Sequence, residues 1–496
     1  MTKSHTFSSF VTAICNHFSD HFYAKNIDIF NYCQPTPLEE PNLVHINQSL
    51  CEDLNLNPDI FKSERALKLM SADTSNTNLK PTSVVYSGHQ FGTWAGQLGD
   101  GRAITLGEIP VKNHSAKREV LWDIQLKGAG LTPYSRFADG RAVLRSTIRE
   151  YLCSEAMHGL RIPTTRALCL VSSNTQVQRE KSEAAAILCR VAPNHIRFGS
   201  LEHFHYLNDF DSVRQLLDYI INRHFPDWDS QEDRYEKLFK SIVISTAYLI
   251  AQWQSVGFCH GVLNTDNMCI LGQTLDYGPF GFLDRYDPQW ICNTSDYNGR
   301  YSFYNQPSIG LWNLNALAIC FSSLLSREKI ISILKLYEPT LITKYQKIMS
   351  NKLGIKYKKS NHKLVDDLLK ILQKSQVDYT FFFRQLSYTQ SLSDELLRLF
   401  NEKETIKIWF KNYQSLLNQE KSSKVPNISM LKVNPKFTLR NHIAQRAITN
   451  AERGDFSELK TIETLIQSPF DEHQNYYNYS LPLPDELHSE RLSCSS

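Results

Sequence analysis

Residues 260–278 read HGVLNTDNMCILGQTLDYG and follow directly on a run whose apolar positions fall at helical spacing. Leu238, Ile242, Leu249, Trp253 and Val256 share one face of that run, which predicts an amphipathic helix delivering the chain to His260. Few architectures place a long helix, a His-Gly turn, an Asn and an Asp-Tyr-Gly turn in that order. Upstream, GRAITLGEI (101–109) and LWDIQLKG (121–128) alternate as strands do, with the Lys-rich PVKNHSAKRE as the hairpin connection between them. RAVLRSTIREYLCSEAMHGL (141–160) spaces Val143, Leu144, Ile148, Tyr151 and Leu152 by three and four, a helix stopped by Gly159. Strands resume at TTRALCLVSS and AAAILCRVAP, and helical patterns dominate 311–420.

This order predicts an α+β chain with a protein-kinase-like bilobal fold. A β-rich N-lobe with one key helix covers 81–205, and a mostly helical C-lobe with the catalytic and metal loop covers 206–330. Residues 1–80 read as a wrapping N-terminal extension and 331–496 as a helical C-terminal region. Within the latter, TLRNHIAQRAITNAERGDF (438–456) predicts one more helix before a polar, Pro-containing end. MCILG, between Asn267 and Asp276, reads as a short strand.

The chain is 42% hydrophobic and 21% charged over 496 residues, the balance of a globular protein with about two to four packing units. Its 54 basic and 51 acidic residues nearly cancel, which argues against a nucleic-acid binder that relies on phosphate neutralisation. Eleven cysteines occur singly with no C-x-x-C pair, as expected of reduced thiols in a cytoplasmic protein. The start of the chain lacks a secretory h-region, and the apolar runs at 241–253 and 311–325 are too short to span a bilayer. A cytoplasmic monomer without a membrane anchor is expected.

Protein kinases end a catalytic loop with H-R-D-x-x-x-x-N and follow it with D-F-G, using the first Asp as base and the Asn and second Asp as metal ligands. Asn267 and Asp276-Tyr277-Gly278 fit that pattern, and their oxygens suit a hard divalent ion. The position of the kinase base, however, is Val262, which accepts no proton. Asp266, one residue before the metal Asn, is the remaining carboxylate, and it suits a hydroxyl approaching a different phosphorus. Upstream, Lys127 ends a strand and Glu150 lies 23 residues later on the predicted helix, the order in which a kinase fold pairs the two. Gly99, Gly101 and Arg102 in LGDGR form a candidate phosphate-approaching loop. Asp139, Gly140 and neighbouring arginines precede a helix N-terminus, where anions are favoured, and Arg190 and Arg197 flank a Pro-Asn turn. A conventional kinase and a nucleotide-binding scaffold without activity both remain open on these residues alone.

Long blocks of the chain resemble the selenoprotein O family, called YdiU in bacteria, of pseudokinase-fold protein nucleotidyltransferases. The blocks are YSGHQFGTWAGQLGDGRAITLGEI, the stretch from WDIQLKGAGLTPYSRFADGRAVLRS to RIPTTRAL, HGVLNTDNMCILGQTLDYGPFGFLD, ICNTSDYNGRYSFYNQP and NPKFTLRNHIAQRAI. The resemblance implies that ATP binds in a reversed orientation and that AMP passes to a Ser, Thr or Tyr hydroxyl of a protein substrate. UTP with Mn²⁺ and modification of Tyr or His are also associated with bacterial members. It implies that Gly99, Gly101, Arg102, Lys127, Asp139, Gly140, Arg190, Arg197 and Asp276 hold the nucleotide and that Glu150 pairs with Lys127. By the same carry-over, Asn267 and Asp276 bind Mg²⁺ or Mn²⁺, and Asp266 takes the proton. The family carries selenocysteine or cysteine at the antepenultimate position; here Cys494 is ordinary cysteine, and the resemblance implies a redox disulfide with Cys292.

Overall fold

The computed structural model describes residues 6–113, 118–420 and 427–484. It is a mixed α/β protein built on one eight-stranded antiparallel sheet. The strands are β1 (Phe30–Tyr32), β2 (Asn42–Ile46), β3 (Thr82–Val84), β6 (Ala103–Asn113), β7 (Arg118–Lys127), β8 (Ala142–Val143), β9 (Arg166–Gln178) and β10 (Ser182–Ala192). Their order is β1-β3-β6-β7-β10-β9-β2, with β8 paired to β10. A separate hairpin of β4 (Ser87–Gln90) and β5 (Thr93–Gln97) precedes β6. Both edge strands of the large sheet come from the first 84 residues, so the N-terminal segment is woven into the sheet as well as wrapped around it.

Period-two alternation sorts the central strands into two chemistries. Ile124 and Leu126 of β7, with Ile187 and Cys189 of β10, turn to one face. There they pack against Phe10, Leu50, Phe61 and Ala66 of the N-terminal helices α1 (Phe7–Ala13), α3 (Gln48–Asp53) and α4 (Glu64–Met70) and of the short helical turn 58–62. The alternate residues Gln125, Lys127, Leu188 and Arg190 face the other way. Gln125 is the register partner of Arg190, and Lys127 that of Leu188. That second face is covered by α5 (Leu144–Gly159), which starts after β8 and ends where the sequence places its stop.

Helix α5 is buried along most of its circumference, polar residues included. Tyr151 hydrogen-bonds Glu463, whose other carboxylate oxygen lies 2.6 Å from His45 Nε2. Glu463 belongs to the helix Ser457–Gln467, which the polar texture of the chain end does not announce. Leu459, Ile462, Leu465 and Ile466 are nevertheless spaced as one apolar face, and all are buried. The long helix before His260 runs Arg234–Val256 and is closed by Gly257 at φ 73°, a left-handed cap that turns the chain into the two-residue strand 258–259. MCILG is not a strand: Cys269 makes only an isolated bridge to Arg197, and the chain turns at 270–272. A short apolar run has no periodicity to separate strand from buried turn.

No helix among the described residues is long and apolar enough to cross a membrane. A separate core joins the helices Tyr337–Lys352, His362–Ser375, Tyr379–Thr389 and Lys403–Gln419. At its edge Lys352 is 2% exposed, its ammonium 4.4 Å from the Phe383 ring centroid and 5.3 Å from that of Tyr379. Burial lowers its pKa to about 7. The unfolded chain therefore holds one proton more than the fold between about pH 7 and 10.5, and stability rises with pH across that window. Lys352→Met is expected to stabilise the protein by roughly 5 kcal/mol at pH 6 and by progressively less toward pH 10, as read by denaturant unfolding at both pH values.

Candidate active site

A cleft of about 830 Å³ opens between the sheet face that carries Lys127 and Arg190 and the turns at 262–267 and 276–279. It is lined by Gly99, Gly101, Arg102, Lys127, Asp139, Gly140, Glu150, Arg190, Arg197, Asp266, Asn267 and Asp276. All twelve of the non-cysteine residues singled out in the sequence thus meet in one cavity. Seven cationic side chains and five carboxylates line it, an excess of positive charge suited to a polyanion.

At its floor lies Asp276, in a left-handed backbone conformation at φ 59°. Its carboxylate accepts from Arg190 Nη1 at 2.5 Å, from Lys127 Nζ at 3.3 Å and from Arg197. Burial opposes its ionisation, but Arg197, Lys127 and Arg190 together hold its carboxyl well below the usual carboxylate range. Lys127 also donates to Glu150 Oε2 at 2.5 Å, and Arg190 to Glu150 Oε1 at 3.2 Å. Arg190 and Arg197, which flank the Pro-Asn turn, are each only 2% exposed. Arg197 further donates to the backbone oxygen of Asp266 at 2.6 Å and stacks over Tyr86.

Asp266 sits in a single 3-10 turn, Thr265–Asn267. Burial pushes its carboxyl up to about 6, against the pull of Gln90 and Arg197. Gln90 Nε2 donates to its Oδ2 at 3.1 Å, while Oδ1 is buried without a hydrogen-bond partner. Asn267 Nδ2 donates to the Val262 carbonyl at 2.8 Å, which leaves its Oδ1 as the available ligand atom. Among the described residues no group of three or more His, Cys, Asp or Glu could hold a metal unaided. The oxygens of Asp276 and Asn267 are of the type that suits a hard ion completing its shell with phosphate and water, and here Arg190, Lys127 and Arg197 occupy those of Asp276.

The glycines serve close approach. A Cβ on Gly140, at φ 69°, would sit 2.1 Å from the Gly130 oxygen, so the loop 128–141 closes only around glycine. In that loop Asp139 is tied to Arg179 at 2.7 and 2.9 Å and accepts from the Arg141 N–H. Arg102 is exposed at the rim. Sequence reasoning missed Gln90, Gln125, Arg179 and Asp100. Asp100 lies between the two glycines already singled out and is 4% exposed, accepting from Gln125 Nε2 at 3.2 Å. Cys292 lies outside the cleft, fully buried, its thiol 2.8 Å from the Pro279 oxygen; Cys494 falls outside the described residues.

A family model described as protein adenylyltransferase SelO matches residues 13–467. The chain belongs to the SelO family. It is 45% identical over 484 residues to protein nucleotidyltransferase YdiU of Enterobacter sp. (strain 638), an alignment covering 97% of this chain and 99% of that one. Its likeness to the protein of the same name from Aliivibrio fischeri (strain ATCC 700601 / ES114) is 46% over 470 residues, covering 94% and 96%. As a SelO-family member the chain is an enzyme, a protein nucleotidyltransferase, and transfer of AMP from ATP agrees with the family.

Replacing Asp276 by Asn leaves Lys127, Arg190 and Arg197 without their shared anion. We expect Asp276→Asn to lower unfolding free energy by about 2–3 kcal/mol, less than for a fully buried pair because Asp276 is one-fifth exposed. Added pyrophosphate should then raise the melting temperature of the variant more than that of the parent, in a thermal-shift titration.

Proposed function

We propose that this SelO-family enzyme moves AMP from ATP to a hydroxyl of a protein substrate in the 830 Å³ cleft, with Asp266 as the proton acceptor. The observation that carries the reading is Asp266 itself. It is the carboxylate that lines the cleft beside Asn267, while the position that holds the base in a kinase is the apolar Val262.

In this reading the acceptor oxygen attacks the α-phosphorus of ATP. A new oxygen–phosphorus bond forms, the bond from the α-phosphorus to the bridging oxygen breaks, and pyrophosphate leaves with that electron pair. The acceptor proton passes to Asp266. Lys127, Arg190 and Arg197 meet the phosphates, and Glu150 orients Lys127, with which it shares a hydrogen bond of 2.5 Å. Arg102 and the loop holding Asp139 and Gly140 close over the nucleotide, and Gly99 and Gly101 give its phosphates backbone access. Asn267 and Asp276 would hold a Mg²⁺ or Mn²⁺, which would supply neutralisation of phosphate charge. UTP is the alternative donor, giving UMP on Tyr or His.

The architecture around this chemistry reads as kinase-like and bilobal. An N-lobe over 81–205 carries Lys127 and Glu150, and a C-lobe over 206–330 carries Asp266, Asn267 and Asp276. Residues 1–80 and 331–496 brace the two. The order strand, Lys, helix, Glu, then Asn and Asp-x-Gly supports it, and the Lys127–Glu150 ion pair is in keeping with it. We place the enzyme in the cytoplasm as a monomer acting on proteins, with neither nucleic acid nor membrane as partner. A disulfide between Cys292 and Cys494 remains the proposed redox element.

With ATP labelled at the α-phosphate and Mg²⁺ or Mn²⁺ present, label should appear on the enzyme or a protein acceptor, and the intact mass should rise by one nucleotide monophosphate. Asp266→Asn should slow this transfer by roughly a hundredfold or more while ATP binding persists. Label arriving only from the γ-phosphate would instead identify a conventional kinase.

A further inference from the structure

The hairpin of β4 and β5 lies against the turn that carries Asp266, and it grips that turn residue by residue. The His89 N–H donates to Thr265 Oγ1 at 2.7 Å, Gln90 Nε2 to Asp266 Oδ2 at 3.1 Å and the Phe91 N–H to Asn264 Oδ1 at 3.2 Å. Tyr301 completes the clamp: its hydroxyl accepts the Phe91 N–H at 2.8 Å and donates to Asn264 Oδ1 at 2.5 Å. Gly88 lets the hairpin come this close, since a Cβ there would stand 3.1 Å from both Cβ and Oδ1 of Asp266.

The two oxygens of Asp266 are consequently unlike. Oδ2 is tethered by a neutral amide, and Oδ1 has no partner. A cationic donor at the same place would hold the carboxylate more strongly and make it a poorer proton acceptor. A neutral amide orients it without placing a charge on it. We propose that Gln90 is a positioning residue for nucleotidyl transfer, holding the Asp266 carboxylate by Oδ2 in the one orientation in which it meets the acceptor hydroxyl at the cleft. This rests on the reading of Asp266 as proton acceptor. The proton lost by the acceptor goes to the Asp266 carboxylate as the acceptor oxygen bonds the α-phosphorus and pyrophosphate departs, and Gln90 exchanges no proton.

The test compares Gln90→Met, which keeps the length of the side chain and removes the donor, with Gly88→Ala, whose Cβ crowds Thr265 Oγ1 at 3.0 Å and Asp266 Oδ1 at 3.1 Å. Steady-state transfer is followed by pyrophosphate release and intact mass, with ATP and Mg²⁺ or Mn²⁺. Both variants should lower kcat by about tenfold to a hundredfold, leaving the KM for ATP and the melting temperature near those of the parent. In an Asp266→Asn background, Gln90→Met should cost nothing further, because its effect passes through that carboxylate. The inference is overturned if Asp266→Asn loses transfer yet Gln90→Met stays within twofold of the parent. It is overturned equally if the loss falls on the KM for ATP, or if Gln90→Met still slows the Asp266→Asn enzyme. Should Gln90→Met fold poorly, Gln90→Ala decides, on the same split between kcat and KM. Full transfer by Asp266→Asn would strike at the underlying assignment of the base instead.

Discussion

Asp276 and the three cations around it hold the centre of the molecule together. Lys127 comes from the end of β7, Arg190 from the neighbouring β10 and Arg197 from the turn leading into the next helix, and all three converge on one carboxylate. Burying charges at this density is costly unless each finds a partner. Glu150 supplies the second anion, bridging Lys127 and Arg190 from α5, and Asp100 stands 3.9 Å from Arg197. Sheet, helix and loop are thereby pinned at one point, and displacing any of them strands a buried charge. An incoming polyanion meets cations already gathered and oriented, so little of its binding free energy is spent on arranging them.

The parts remote from the cleft serve the same geometry. Glu150 is useful only if α5 keeps its angle on the sheet, and that angle is fixed from the far side. Tyr151 and His45 share Glu463, joining α5, the edge strand β2 and the helix Ser457–Gln467 in one polar contact. Arg149, next to Glu150, reaches the Phe280 backbone oxygen at 3.1 Å and stacks on that ring at 4.5 Å, tying α5 to the turn after Asp276. Segments on both flanks of the cleft residues thus support the helix that carries Glu150. The match of the family model over residues 13–467 runs through both of them.

Much of this was legible in the sequence because it rests on periodicity. Strands β6 and β7, helix α5 and the helix ending at Val256 carry the period of one secondary structure, while β9 and β10 are apolar runs rich in short and branched side chains. The cleft residues were legible as types at the right spacing, and the structure brings twelve of them to one cavity. Burial was not: Arg190 and Arg197 were legible as nucleotide-holding arginines, but nothing local reveals that a distant carboxylate holds them in the interior. Gln90 gave no signal, since a single amide acquires meaning only when a hairpin packs against a turn 176 residues away. The helix Ser457–Gln467 did carry a signal in Leu459, Ile462 and Ile466, hidden by the polar residues between them.

Two aspartates ten residues apart end with opposite electrostatics. Asp276 lies among guanidinium and ammonium groups that hold it ionised through any physiological pH, which is what a ligand for cations requires. Asp266 is as enclosed but is offered one neutral amide and the edge of a glycine, and burial raises its carboxyl to about 6. A carboxylate so placed binds a proton more readily than an exposed one while remaining mostly ionised at neutral pH. The separation follows from what each side chain is allowed to touch, since the residue type is the same. Environments that push two equivalent groups apart in this way are how an active site divides ligation from proton transfer. The division we propose here depends on Arg197, which binds the Asp276 carboxylate with its guanidinium yet meets Asp266 only at the backbone oxygen.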